Sequence, residues 1–120
     1  MKNKTKKQSA FALQMIMVIM ALFIFACQIN AKPKILVFAK TAGFHHNSIA
    51  MGLIAIQKLG AENKFDVDTT TNAEKFNSNN LKKYKAVVFL STTGDVLNNT
   101  EQDAFKKYIE AGGGFMGIHA

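Results

Sequence analysis

Residues 34–120 predict an α/β fold, a parallel sheet with helices on both faces, and three observations carry that prediction. Two runs, "KILVFA" (34–39) and "KAVVFLS" (85–91), are almost wholly apolar and rich in branched residues, as strands buried on both faces are. The segments that follow them place apolar residues at helical spacing. The glycines, histidines and hydroxyls fall in the loops directly after those strands.

The elements follow in order. Pro33 opens the region, and "KILVFA" is the first strand. "SIAMGLIAIQKLG" (48–60) carries Ile49, Leu53, Ile56 and Leu59 on one helical face, with Asn47 or Ser48 to cap it and Gly60 to end it. "KFDVDTTT" (64–71) alternates Phe65, Val67 and Thr69, the pattern of a strand near a sheet edge. "NSNNLKKY" is polar and allows one helical turn, and "KAVVFLS" is then a second buried strand. In "NNTEQDAFKKYIEAGGG", Phe105, Tyr108 and Ile109 share a face. Asn99 and Gln102 stand at capping-box spacing, and Gly112 to Gly114 stop the helix. "FMGIHA" (115–120) is the last strand.

Strand–helix alternation with buried strands gives a three-layer parallel sheet, and the expected order is 2-1-3-4, as in flavodoxin-like sheets. That order reverses direction between the first and third strands, so a crevice opens at their C-terminal ends. His45 and His46 follow strand one, "STTGD" (91–95) follows strand three, and His119 closes strand four. All three groups are expected on one rim. No helix follows "FMGIHA" to cover it, so the sequence is expected to be a fragment whose residues 32–120 fold poorly alone.

The N-terminus is of a different kind. Lys2, Lys4, Lys6 and Lys7 precede "AFALQMIMVIMALFIFA" (10–26), which is apolar apart from Gln14, and small residues follow. Residues 1–31 therefore read as a secretory signal peptide, which predicts export to the periplasm or cell envelope. An uncleaved membrane anchor is the other reading of a run that is marginal for a core of about 30 Å. Cys27 is the single cysteine; "IFAC" places it as in a lipoprotein signal, where it would be lipidated. A cut after Ala31 competes with that route, and neither leaves a thiol for catalysis.

Composition narrows the partners. The net charge is +7, but four of the fifteen basic residues lie in the signal, leaving eleven lysines against eight acids. Arginine is absent, and a nucleic-acid surface normally relies on its planar fork, so that class is set aside. Lys82, Lys83, Lys85, Lys106 and Lys107 read as solvated faces, and "KTAG" is too short a signal for a phosphate loop.

Several segments together resemble one family. "KILVFAKTAGFHHNSI", "FDVDTTTNAEKF" and "YKAVVFLSTTGDVLNNTEQDAFKKYIEAGGGFMGIHA" look like the first half of a ThuA-like domain, the trehalose-utilisation family, over essentially all of residues 34–120. The resemblance implies a fold similar to class I glutamine amidotransferases and a role in carbohydrate metabolism. In those amidotransferases a segment resembling "GGGFMGIHA" carries the nucleophilic cysteine, and His119 stands in its place here. Cysteine-based glutaminase chemistry is therefore not expected.

The resemblance makes His119 and His46 the candidate catalytic pair. The family's usual pattern resembles "KTAGFRHDSI", so His46 matches its histidine and His45 stands where arginine is common. An imidazole on that rim can act as a general base or bind a divalent metal. A metal held by His46, His119 and Asp95 would suit zinc-like chemistry. Thr41, Ser91, Thr92, Thr93 and Asp95 are the candidate substrate-binding residues, since hydroxyls and a carboxylate can bond sugar hydroxyls. The plainer reading of "STTGD" is a turn before a helix. The expected ligand is a sugar or sugar-derived small molecule, taken by an enzyme (a hydrolase or isomerase) or by a binding module without catalysis.

Overall fold

A computed structural model describes residues 31–119, together with Met15 and Met17. Apart from Ala31, the remainder of the expected signal segment, Cys27 included, lies outside the described residues, as does Ala120. Among the described residues no helix is long and apolar enough to cross a membrane.

Four parallel strands form the sheet: β1 (Lys34–Phe38), β2 (Asp66–Thr70), β3 (Ala86–Leu90) and β4 (Gly114–Ile118), in the order β2-β1-β3-β4. The register pairs Val37 with Thr69 on one side and with Val88 on the other, and Val88 with Met116. Within residues 31–119 the sheet is joined by three α-helices, α1 (Ser48–Asn63), the single turn α2 (Ser78–Leu81) and α3 (Asn99–Glu110), and by a 3-10 turn (Ala73–Lys75). The 2-1-3-4 order stands as expected. Strands β1 and β3 are central because each has apolar side chains on both faces, and side chains alternate between faces along a strand. Val37, Val88 and Leu90 pack with Ile49 and Ile56 of α1. Leu36, Phe38 and Val87 pack on the opposite face with Phe76, Leu81 and Leu97. Strand β2 lies at an edge, where its Asp66 and Asp68 cost least.

Four local expectations are corrected. Helix α1 does not stop at Gly60 but runs to Asn63, and Lys64 closes it in the left-handed region at φ 61°. Gly60 is there for close approach: an added Cβ would lie 2.7 Å from Val67 Cγ2 and 2.8 Å from the Phe65 carbonyl oxygen. The buried face of α1 thus runs Ile49, Ile56, Gly60, and Leu59 is 51% exposed. The capping box of α3 is Asn98 with Glu101, one residue earlier than Asn99 with Gln102. Asn98 Oδ1 accepts from the Glu101 N–H at 3.0 Å and the Asn98 N–H donates to Glu101 Oε2 at 2.8 Å. A carboxylate at the third helical position also suits the positive end of the helix dipole, which an amide does not exploit. Ile109 is turned toward solvent, whereas Phe105 and Tyr108 pack on the core. Finally, Gly114 is the first residue of β4, not part of the helix stop, because its N–H donates to the Lys85 carbonyl oxygen beside β3.

One polar cluster ties this frame together. Tyr84 Oη donates to Asp68 Oδ2 at 2.8 Å, and Lys34 Nζ meets the same oxygen at 3.3 Å. Burial, then the hydrogen bond and charge of Asp68, push the Tyr84 phenol up to about 12. Burial raises Tyr108 as well. Below pH 10 both folded and unfolded chains keep these protons, so stability there is unaffected. Between about pH 10 and pH 12 the unfolded chain releases the Tyr84 proton and the folded chain holds it, so stability falls. Urea titrations from pH 8 to 12 should show that decline, and Tyr84→Phe should make it shallower. A decline of identical slope in the variant would contradict the assignment.

Candidate functional site

The C-terminal ends of β1 and β3 carry the two loops in which the sequence concentrates its polar chemistry. The structure fastens them together. Thr41 and Thr93 form an isolated parallel bridge, continuing the β1–β3 pairing past the strand ends. The N–H groups of Ala42 and Gly43 both donate to the Thr93 carbonyl oxygen, at 2.7 and 3.2 Å. Thr93 Oγ1 donates to the Phe44 carbonyl oxygen at 2.7 Å. Lys40 Nζ reaches across to the Val96 carbonyl oxygen at 3.2 Å. Gly94, at φ 75°, adopts a backbone that side-chain-bearing residues rarely take, and an added Cβ would come within 3.2 Å of both Ala42 Cβ and the Gly43 nitrogen. The glycine lets the loops touch.

The histidines separate as adjacent residues do. His45 is exposed, with Nδ1 3.4 Å from Thr41 Oγ1. His46 is half-buried, its ring edge-on to Phe44 at a centroid distance of 4.8 Å. Phe44 itself is 72% exposed, so an aromatic face stands open beside the histidine pair.

Strand β4 brings His119 to the same end of the sheet. Ser91, at the exit of β3, is buried and sits in the left-handed region at φ 47°. Its N–H donates to the Ile118 carbonyl oxygen at 2.9 Å, and its Oγ donates to the His119 carbonyl oxygen at 3.4 Å. A non-glycine residue in this region costs on the order of 1–3 kcal/mol, a strain that gathers at functional sites. Ser91 therefore fixes the backbone that presents His119. An open cleft of about 350 Å³ follows, lined by Phe89, Thr92, Phe115, Gly117, Ile118 and His119. Aromatic faces, one hydroxyl and one imidazole meet there.

The candidate residues thus divide by role. Thr92 and His119 line one cleft. Ser91 and Thr93 direct their hydroxyl protons to backbone carbonyls and shape the loops. Thr41 pairs with His45, and Asp95 is exposed, one residue past Gly94. Among the described residues no three His, Cys, Asp or Glu side chains gather as a metal site, so His46, His119 and Asp95 are not brought together as a ligand set. Sequence reading missed the left-handed Ser91 and the exposed Phe44. A serine after an apolar strand carries no mark of its φ, whereas a phenylalanine inside a polar loop was a visible signal.

An all-parallel 2-1-3-4 sheet with its polar loops joined at the C-terminal rim defines a flavodoxin-like α/β domain, the class that binds ligands at that switch point. Within that class, the chain belongs to the ThuA family, described as trehalose utilisation, whose family profile matches residues 34–120. Among solved structures it is similar to one from Bacteroides uniformis described as ThuA-like, at 28% identity and a TM-score of 0.60. That likeness covers 78% of this chain and 39% of the other, so the chain spans well under half of its structural relative. No curated protein matches it.

Proposed function

We propose that the protein acts on a sugar or sugar-derived small molecule at the rim formed by the β1, β3 and β4 exits, with His119 as the proton-transferring group. The observation that carries this reading is the cleft in which Thr92 and His119 meet Phe89 and Phe115. Aromatic faces receive the C–H side of a sugar ring, and a hydroxyl and an imidazole address its oxygens. His119 takes a proton from a sugar hydroxyl or from water and returns it later in the cycle, which serves a hydrolase or an isomerase equally. His46 and Phe44 stand on the same rim, at the exit of β1.

The protein reaches its substrate outside the cytoplasm. Residues 1–31 are the export signal in this reading, and either Cys27 or Lys32 begins the mature chain, with lipid anchoring in the first case. The mass of the mature N-terminus tests that part, and a product retaining Met1 would contradict it. For the activity, the complete protein is incubated with glucose, trehalose and other disaccharides, and products are followed by chromatography. Conversion of any of them supports the proposal. Binding without conversion reduces the domain to a sugar-binding module, and the absence of both binding and conversion overturns the reading.

A further inference from the structure

The lysines of residues 32–119 are not spread evenly. All four strands run parallel, so all begin at one end of the sheet, opposite the rim that carries His119. A lysine stands just before three of them: Lys32 before β1, Lys64 before β2 and Lys85 before β3. Backbone bonds hold these entries side by side. The Asp66 N–H donates to the Pro33 carbonyl oxygen at 2.9 Å, and the Lys85 N–H to that of Lys34 at 2.7 Å. Lys82 and Lys83 lie in the same lead-in to β3, and Lys107 is in the last turn of α3, which returns the chain to that end. All six side chains are exposed, and none has an acidic partner among the described residues. Lys82 and Lys83 meet only the neutral side-chain oxygens of Asn79 and Asn80. The acids nearby are already paired, Asp68 with Lys34, Glu62 with Lys58 and Glu110 with Lys106, which leaves Asp66. The rim end is the reverse, with Lys40 and Lys75 against Glu74, Asp95, Glu101 and Asp103. The small excess of lysines over acids is therefore gathered at one end of the sheet.

We propose that this lysine end docks the domain on an anionic lipid surface and turns the His119 rim toward the aqueous side. The inference rests on the export reading given above. Two observations favour a membrane over another polyanion. Lys32 is where the chain enters the domain, and Cys27 and the apolar run 10–26 precede it directly. The five-residue step from Cys27 to Lys32 spans at most about 18 Å, so a chain held in a bilayer at that run keeps this end of the sheet near the headgroups. The patch is also made of lysine alone, whose compact ammonium attracts headgroup phosphates as a point charge without the fork that reads bases. That attraction reaches about one Debye length, roughly 8 Å at physiological salt. Strands of five residues rise about 3.3 Å per residue, which puts the rim roughly 17 Å away, beyond that range. The acids at the rim are repelled by the same surface. The cleft then faces the side from which a soluble sugar arrives.

Amine-reactive labelling of the complete protein mixed with vesicles, read lysine by lysine by mass spectrometry, tests the inference. With phosphatidylglycerol vesicles at about 0.1 M salt, Lys64, Lys82, Lys83, Lys85 and Lys107 should label at least about fivefold more slowly than with phosphatidylcholine vesicles. Lys58 and Lys75 should label equally in both. Raising sodium chloride to about 0.5 M should remove the difference. The triple variant Lys83→Gln, Lys85→Gln and Lys107→Gln changes only exposed side chains, so it should lose the protection at Lys64 and Lys82 at an unchanged melting temperature. The mass of the mature N-terminus reports on export separately, and sugar turnover is measured without vesicles, so failure of either reading is distinguishable from failure of docking. Protection that inorganic phosphate removes, and chloride of equal ionic strength does not, would assign the lysines to free phosphate and overturn the membrane surface. Equal labelling with both lipids, or protection that survives in the triple variant, would overturn it as well.

Discussion

Phe38→Ala should lower the unfolding free energy of the complete protein by about 3–5 kcal/mol, the usual cost of truncating a buried phenylalanine. Phe38 has no exposed surface, on the central strand of the sheet. Its ring lies edge-on to Phe76 at 4.6 Å and to Phe89 at 5.3 Å. Phe76 and Phe89 both contact Phe105 in turn, so these rings form one aromatic body between the sheet and α3. Removing the ring at its inner end leaves a cavity that neighbours on three separate elements cannot fill by small shifts. Domains hold only about 5–15 kcal/mol of net stability, so the change should be plain in a urea titration. Phe115, on the same aromatic body but 55% exposed, offers a control whose truncation should cost less. A Phe38→Ala loss below about 1 kcal/mol, or one no larger than that of Phe115→Ala, would contradict the placement of the core.

The strand order was legible because burial on two faces leaves a distinct trace. "ILVF" and "VVFL" have no polar position to turn toward water, which forces β1 and β3 to the middle. "DVDTT" alternates and carries two carboxylates, which sends β2 to the edge. Glycines and asparagines were harder to read. Gly60 carries the usual mark of a helix end, yet its role is contact with Val67 and Phe65, which are residues of the next segment. In "LNNTEQ" both Asn98 and Asn99 have a capping partner three residues on, and only the carboxylate of Glu101 separates them.

The site was legible at the level of topology. Placing His46, "STTGD" and His119 at one end of the sheet follows from strand direction alone, and the Thr41–Thr93 bridge joins two of those loops. Which hydroxyl faces a ligand does not follow from strand direction. Thr92 and Thr93 are the same residue type in the same loop, yet one lines the cleft and the other donates to Phe44. Rotation by one position along an irregular backbone decides that, and periodicity has nothing to say about it.

His119→Ala carries the largest effect on activity. General acid–base groups contribute roughly 10²- to 10⁴-fold, and the loss should fall in kcat, since a proton carrier acts on the reacting bond more than on binding. The side chain is exposed at the end of β4, where truncation leaves no core cavity, so the melting temperature should be unchanged. His46→Ala should weaken the same activity to a smaller degree through the loss of its packing on Phe44, and His45→Ala should do least. Ser91→Ala should also depress kcat, because it releases the carbonyl that presents His119. The most direct test is therefore a paired measurement on the complete His119→Ala protein, kcat with the sugar that the wild type converts and a melting curve from the same sample. A loss of at least about 10²-fold at an unchanged melting temperature is expected. Full turnover in that variant, or a fall in turnover matched by unfolding, would contradict it.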